Sequence, residues 1–120
     1  MSDTKIVELS STIDFSVFQQ VDVRVGVITA VDIAEGCRIP AYKLKIDFGT
    51  ALGTKQSLAQ IRNYAPETLI GKQVLAVMNL KPRQIGENVS EVLTLGVPTQ
   101  DKGIALITPD MTAVQGGRLF

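Results

Sequence analysis

The chain has 120 residues and a formal net charge of zero, because 12 basic side chains balance 12 acidic ones. One Cys and no His exclude an internal disulfide, a multi-cysteine metal cluster and every catalytic or metal site that needs an imidazole. A hydrophobic fraction of 45% is typical of a globular protein, so we expect one domain spanning residues 1–120.

The first residues do not have the pattern of a signal peptide, because Asp3, Lys5 and Glu8 interrupt any apolar run. The longest uncharged apolar stretch, residues 74–80, is much shorter than the roughly 20 residues that span a bilayer. We therefore expect a cytoplasmic protein that does not insert into a membrane, with Cys37 as a reduced thiol.

The net charge of zero conceals a segregation of charge along the chain. Residues 1–37 carry 2 basic and 6 acidic side chains, residues 38–62 carry 5 basic and 1 acidic, and residues 63–120 balance. A local basic surface attracts phosphates even on a neutral protein. The same charges also suit a solvated strand face, so the charge map alone does not choose between these interpretations.

The first predicted elements are a short helix and a long strand. Phe15 and Phe18 follow Asp14 at helical spacing, which predicts one or two helical turns with both rings on one face. We expect this face to pack against the core or a neighbouring subunit. Alternating valines then predict a strand over residues 21–33, with Gly26 as a bulge or bend.

Two strands and a second short helix follow. Residues 42–48 alternate between apolar and charged side chains and predict a strand, and residues 55–59 predict the next one. Pro66 is typical of a helix start and Gly71 of a helix end, which predicts a short helical connection between them.

The remaining segments predict further strands. Residues 74–78 form an apolar run typical of a strand covered on both faces, and residues 92–97 and 103–107 predict two more strands. Residues 80–83 predict a turn or a short edge strand, and residues 116–118 predict a turn followed by a last short strand pairing.

The order of these elements predicts an all-β protein. About five principal strands, a short helix between strands 3 and 4, an N-terminal helical turn and extra C-terminal strands favour a small Greek-key barrel of the OB-fold type. A small sandwich remains the alternative on pattern alone. The sequence has no Gly-rich phosphate loop or nucleotide fingerprint.

Three segments resemble a known family in their order and spacing. They are Val21–Ile28 (VDVRVGVI), Lys55–Ile61 (KQSLAQI) and Asn79–Leu93 (NLKPRQIGENVSEVL). Together they resemble the tRNA-binding domain family, and in particular its CsaA-type secretion chaperones. The resemblance covers about residues 14–118.

The resemblance implies an OB-fold barrel, a homodimer and no cofactor. Members of the family dimerise through elements outside the barrel, which correspond here to the N-terminal helical turn and to residues 98–120. The expected dimer-interface residues are Phe15, Phe18, Leu119 and Phe120.

The resemblance also implies a face that binds RNA. Lys81 and Arg83 flank Pro82 in a stiff turn and are the best candidates for phosphate contacts, and Ser90 corresponds to the hydroxyl of the ligand-proximal loop. Arg24 suits a phosphate, a peptide carboxylate or a structural pair with a nearby acid. The full set of expected RNA-binding residues is Arg24, Lys43, Lys45, Lys55, Gln56, Ser57, Arg62, Asn79, Lys81, Arg83 and Ser90.

Three features weigh against RNA as the main ligand. The net charge is zero, and Glu91 follows Ser90 where RNA-binding members tend to carry a neutral amide. Single-stranded RNA is usually held by stacking on aromatic side chains, and we expect only Tyr42 and Tyr64 to be exposed platforms.

Two hypotheses of function follow. The first is a CsaA-like chaperone that assists protein secretion and binds unfolded or export-competent polypeptide without ATP, in an apolar groove formed where two subunits meet. Leucine and isoleucine positions in residues 58–70 and 80–89 would supply its walls. The second is a tRNA- or RNA-binding module that uses the basic face of the barrel. An enzyme is not expected, because nothing pairs the acidic residues with a nucleophile or metal cluster.

Overall fold

The computed structural model describes residues 8–120, so the expectation for the segment with Asp3 and Lys5 lies outside the described residues. Among residues 8–120, neither helix has the length and apolar character needed to cross a lipid bilayer. The elements are α1 (Phe15–Phe18), β1 (Val23–Ile33), β2 (Tyr42–Asp47), β3 (Thr54–Ala59), α2 (Pro66–Leu69), β4 (Gln73–Val77), β5 (Arg83–Ile85), β6 (Asn88–Ser90), β7 (Leu93–Thr94), β8 (Gly96–Pro98) and β9 (Ile104–Leu106).

Five strands form the sheet that holds the core. Their order is β3-β2-β1-β4-β7, and every neighbouring pair is antiparallel. The two edge strands approach each other, since the Ser57 and Thr94 hydroxyl oxygens are 2.7 Å apart. The sheet is therefore a nearly closed barrel, which confirms the prediction of an OB fold.

The bulge in β1 lies later than the sequence predicts. The register between β1 and β2 shifts between Ile28 and Ala30, so the bulge is not at Gly26. Gly26 is needed for another reason, because a Cβ there would lie 2.5 Å from Cγ2 of Ile46 and 2.6 Å from Cε1 of Phe48. The absence of a side chain at Gly26 allows these two core residues to pack against β1.

The core lies inside the barrel, on the side of β2 that the alternation predicts. Leu44 and Ile46 are fully buried, whereas Lys45 is exposed on the opposite face of the strand. The short helix α2 adds Leu69 to this core, and Gly71 follows with a φ of 86°. The predicted helix boundaries at Pro66 and Gly71 are confirmed.

The C-terminal part differs from the prediction in two places. The segment 92–97 is two short strands, because β7 pairs with β4 whereas β8 pairs with β9. The chain changes partners at Leu95, whose N–H donates to Leu75 and whose carbonyl accepts from Ile107. Strand β4 is covered less completely than expected, since Leu75 is only half-buried. The predicted last pairing is confirmed by a bridge between Arg24 and Arg118.

Candidate functional site

The expected basic face is divided by the pleat of the sheet. Lys43 and Lys45 lie on the outer face of β2, and Lys43 is directly opposite Asp32 of β1. Lys55 is paired with the buried Ile46 and therefore lies on the same face as Ile46, opposite to the face of Lys43 and Lys45. The cations of residues 38–62 thus do not form one continuous strip.

Three arginines are engaged within the protein. Arg24 forms an ion pair with Asp22, with 2.6 Å between Nε and Oδ1, and donates to the carbonyl of Gly116 at 3.0 Å. Arg118 lies 3.6 Å from the same carboxylate. These contacts favour the structural interpretation of Arg24, which joins the start of β1 to the C-terminal segment. The guanidinium of Arg62 lies over the ring of Tyr42, 5.2 Å from its centroid.

The two serines expected to contact RNA are buried, which corrects that prediction. Ser57 is fully buried against Thr94, and Ser90 is 3% exposed. The Ser90 hydroxyl accepts a hydrogen bond from the Leu58 N–H at 3.1 Å and donates to the Val92 carbonyl at 3.0 Å. Their hydroxyls hold the barrel together and are not accessible to a ligand.

Three further polar side chains of the motif also bind the backbone. Asn79 accepts from the N–H of Asp22 at 2.9 Å and donates to the carbonyl of Gln20 at 2.6 Å. Gln56 donates from its side chain to the carbonyl of Val89. The Glu91 carboxylate accepts from the Gln56 N–H at 2.8 Å, so this departure from RNA-binding members has a structural role.

The two tyrosines are not exposed stacking platforms, which corrects a second prediction. Tyr42 is 4% exposed and its hydroxyl donates to the carbonyl of Tyr64 at 2.7 Å. Tyr64 is half-buried, and its hydroxyl accepts from the N–H of Leu106. Neither ring offers a free face for a base, since Arg62 covers Tyr42 and Lys72 lies over Tyr64.

A concave surface with a mainly apolar lining lies beside β3. It is a groove of about 430 Å³, which we call the β3 groove. Its lining includes Leu58 and Ile61, as well as Ile85 from β5, and all of its residues belong to one chain. The groove expected between two subunits stays a prediction. The apolar lining consists mainly of Ile39, Leu58, Ile61, Ile85, Leu93, Leu95, Ile104 and Leu106.

The hairpin formed by β5 and β6 is one wall of the β3 groove. Ile85 packs against a small apolar cluster of Ala34, Ala41 and Leu58. At the hairpin tip, a Cβ on Gly86 would lie 2.6 Å from the carbonyl oxygen of Gly36, so the two backbones are in close contact. The side chain of Asn88 also donates to the carbonyl of Glu35. The hairpin is therefore fixed to the loop after β1.

Charge at the β3 groove comes from two arginines. Arg83 lies on β5 and Arg38 on the loop before β2, and both residues are exposed. Lys81 is also exposed but does not line the groove. The prediction from the motif includes Arg83 and omits Arg38, whose only sequence signal is its position in the basic segment.

A second concave patch, of about 340 Å³, lies between α1 with the residues that follow it and the segment 118–120. The four residues expected at a dimer interface, Phe15, Phe18, Leu119 and Phe120, all line it. The two rings of α1 are 5.9 Å apart, but Phe15 is 66% exposed. These rings therefore do not pack against the core of their own chain, and we call this surface the aromatic patch.

Within residues 8–120, no group of three or more His, Cys, Asp or Glu side chains is arranged to hold a metal ion. Cys37, the free cysteine, is half-buried in the loop that contributes to the β3 groove.

Comparisons with known proteins agree with this fold. The family model described as "Putative tRNA binding domain" matches residues 23–118. The solved CsaA chaperone protein from Picrophilus torridus is similar with a TM-score of 0.86 and 44% identity, covering 91% of this chain and 100% of that one. The solved chaperone CsaA from Bacillus anthracis is similar with a TM-score of 0.85 and 39% identity, covering 92% and 100%.

Curated relatives include much longer proteins. A methionine–tRNA ligase of Chlorobium chlorochromatii is 34% identical over 112 residues, which are 92% of this chain. The chain spans only 15% of the length of that ligase.

Proposed function

The chain is a CsaA-type member of the tRNA-binding domain family, and we propose that it is a chaperone that binds unfolded or export-competent polypeptide. The observation that carries this proposal is the β3 groove, whose lining is largely leucine and isoleucine. Its volume of about 430 Å³ is within the usual range of protein binding pockets, roughly 300–1,000 Å³.

Burial of apolar surface supplies the free energy of this binding. Transfer of apolar area from water contributes about 25 cal/mol per Å², without any requirement for a defined side-chain sequence. Such recognition suits an unfolded segment, whose aliphatic side chains are exposed. No nucleotide motif is present in the sequence, so binding and release follow mass action and need no ATP.

The wider assembly belongs to the same proposal. It includes a single domain of the OB-fold type over the described residues 8–120 and the association of two copies through the aromatic patch as a homodimer. In this proposal, the protein assists secretion from the cytoplasm by holding precursors in an unfolded state. The similarity to two solved CsaA chaperones supports the chaperone part of the proposal.

A pair of isoleucine variants tests the binding of polypeptide. Ile39 lines the β3 groove and is 56% exposed, whereas Ile33 is 55% exposed and does not line it. We expect Ile39→Ser to weaken binding of a fluorescein-labelled apolar peptide about fivefold, from the loss of roughly 1 kcal/mol of apolar contact. Ile33→Ser is the matched control and should bind like the wild type. Addition of ATP should change none of these affinities.

Equal affinities for the wild type and both isoleucine variants would contradict the assignment of the groove. If no peptide binds to the wild type, the chaperone function itself is wrong.

A second candidate function is binding of tRNA. The family model and the similarity to methionine–tRNA ligases favour it, together with the exposed side chains of Lys45, Lys81 and Arg83. Binding of labelled bulk tRNA should then weaken by a hundredfold or more between about 50 and 200 mM salt. The double variant Lys81→Ala/Arg83→Ala should bind less tightly and with a shallower salt dependence. Absence of binding at low salt would exclude this function.

A further inference from the structure

We propose that the β3 groove selects polypeptide segments in which an aliphatic side chain lies next to a carboxylate. This inference rests on the proposed function, because it specifies the substrate of the same groove. The lining contains no acidic side chain, and its charged members are Arg38 and Arg83. One lies on the loop before β2 and the other on β5, so guanidinium groups come from two separate elements around an apolar surface.

These two guanidinium groups have no partner within residues 8–120. The ion pairs of this part of the chain join Asp22 to Arg24 and Arg118. No hydrogen bond of the described residues involves the side chain of Arg38 or Arg83. Each guanidinium therefore retains its full set of five N–H donors for a ligand.

Acidic residues of the neighbouring segments, including Glu35, Glu87 and Glu91, do not line the groove. The carboxylate of Glu91 accepts from the Gln56 N–H. Glu87 lies at the hairpin tip, where its carboxyl would be 3.7 Å from a Cβ on Gly36, and it does not line the groove. The charge presented by the groove lining is therefore positive, although the whole chain is neutral.

Carboxylate is the anion that this arrangement favours. A guanidinium binds a carboxylate through two parallel N–H···O bonds, while the aliphatic neighbour fills the apolar lining. A lysine or arginine at the same position of a peptide would be repelled, so the groove would discriminate by charge as well as by burial. An RNA phosphate is favoured less, because no aromatic side chain lines the groove to stack a base.

Matched peptides test this specificity. A fluorescein-labelled seven-residue peptide with a Leu-Ile-Leu core is prepared with Asp, Asn or Lys after the core, each with an amidated C-terminus. A fourth peptide has Asn and a free C-terminal carboxylate. Comparison with the Asp peptide shows whether the groove prefers the carboxylate of a side chain or that of a chain end. Binding is measured by fluorescence anisotropy at low salt. We expect a carboxylate, on the Asp side chain or at the chain end, to tighten binding about three- to tenfold relative to the amidated Asn peptide. The Lys peptide should bind most weakly.

Charge-neutral variants assign the effect to the two arginines. In the double variant Arg38→Gln/Arg83→Gln, the ratio of the affinities for the Asp and the Asn peptide should fall to within about twofold. Lys81→Gln is the matched control, because Lys81 is an exposed cation close in sequence that does not line the groove. It should keep the preference of the wild type.

Each other result overturns the proposal in an identifiable way. Equal binding of the Asp, Asn and Lys peptides would leave a chaperone groove without charge selection. If no peptide binds, the proposed function fails together with this inference. If a single-stranded oligonucleotide displaces the Asp peptide and the arginine variant abolishes its binding, the groove is an RNA site.

Discussion

At the scale of single residues, the polar side chains of the family motif mainly support the backbone. Asn79 and Ser90 each accept from one backbone N–H and donate to one carbonyl, and the Glu91 carboxylate accepts from another N–H. A buried N–H without an acceptor is costly, which explains the requirement for a hydroxyl at Ser90, whose bond from the Leu58 N–H is buried. The motif therefore encodes the barrel closure more directly than a ligand site.

Ser90→Ala should destabilise the fold. The variant leaves the Leu58 N–H without its acceptor inside the protein, which costs about 1–3 kcal/mol in the free energy of unfolding. Urea unfolding followed by circular dichroism measures this loss. Thr50→Ala removes a hydroxyl from an exposed turn and should change the stability by no more than about 0.5 kcal/mol. Equal effects of the two variants would contradict the structural role of Ser90.

At the scale of elements, the hairpin of β5 and β6 determines the shape of the β3 groove. Gly86 occupies the first central position of its two-residue turn with a φ of 61°, the position that a type II′ turn reserves for glycine. The tip then contacts the backbone of Gly36, while Gln56 holds the other strand of the hairpin at Val89. The hairpin is thus attached at both ends, and the groove exists before any ligand binds.

Gly86→Ala should both weaken peptide binding and lower the stability of the fold. An added Cβ lies 2.6 Å from the carbonyl oxygen of Gly36, so the hairpin tip must move away from Gly36 and change the wall of the groove. We expect about a tenfold weaker affinity and a loss of about 1–3 kcal/mol in the free energy of unfolding, the usual cost of one strained backbone position.

Gly53→Ala is the matched control for Gly86→Ala. Gly53 has a φ of 81° but no atom within 4 Å of an added Cβ, so it carries the same kind of backbone strain without the clash. Its peptide affinity should equal that of the wild type. A Gly86→Ala protein that binds peptide normally would show that the hairpin contact does not shape the groove.

At the scale of the whole molecule, the described residues leave the β3 groove and the aromatic patch uncovered. The two surfaces share no lining residue, so the proposed ligand and the proposed second copy would occupy separate sites. The aromatic patch is unusually exposed, since Phe120 has 105% of its reference surface accessible. Large exposed aromatic side chains of this kind are typical of protein–protein interfaces.

Loss of the aromatic patch should convert a dimer to a monomer. In sedimentation velocity, the wild type should sediment at twice the mass of one chain, and Phe15→Ser/Phe120→Ser at the mass of one chain. Burial of large aromatic side chains dominates the energetics of such interfaces, so loss of both rings should shift the dimer equilibrium strongly. Val97→Ser serves as the control, because Val97 is 47% exposed and lies outside the patch. A monomeric wild type would contradict the homodimer.

The sequence by itself determined the local features of this protein. Alternation along residues 42–48 predicted which side chains of β2 face the core, and Pro66 and Gly71 predicted both ends of α2. The spacing of Phe15 and Phe18 predicted that their rings share a face. These predictions succeed because the pleat of a strand and the pitch of a helix are properties of neighbouring residues.

Only the tertiary structure decided which residues remain available for a ligand. The alternation of β1 left Arg24 open to a ligand contact or to a structural pair, and its partners in the fold include the carbonyl of Gly116, distant in sequence. Ser90 is buried because β3 passes beside it. The β3 groove likewise combines loop, strand and hairpin residues from five separate parts of the chain. Burial and hydrogen bonding depend on which segments cross in space, and that information is absent from local periodicity.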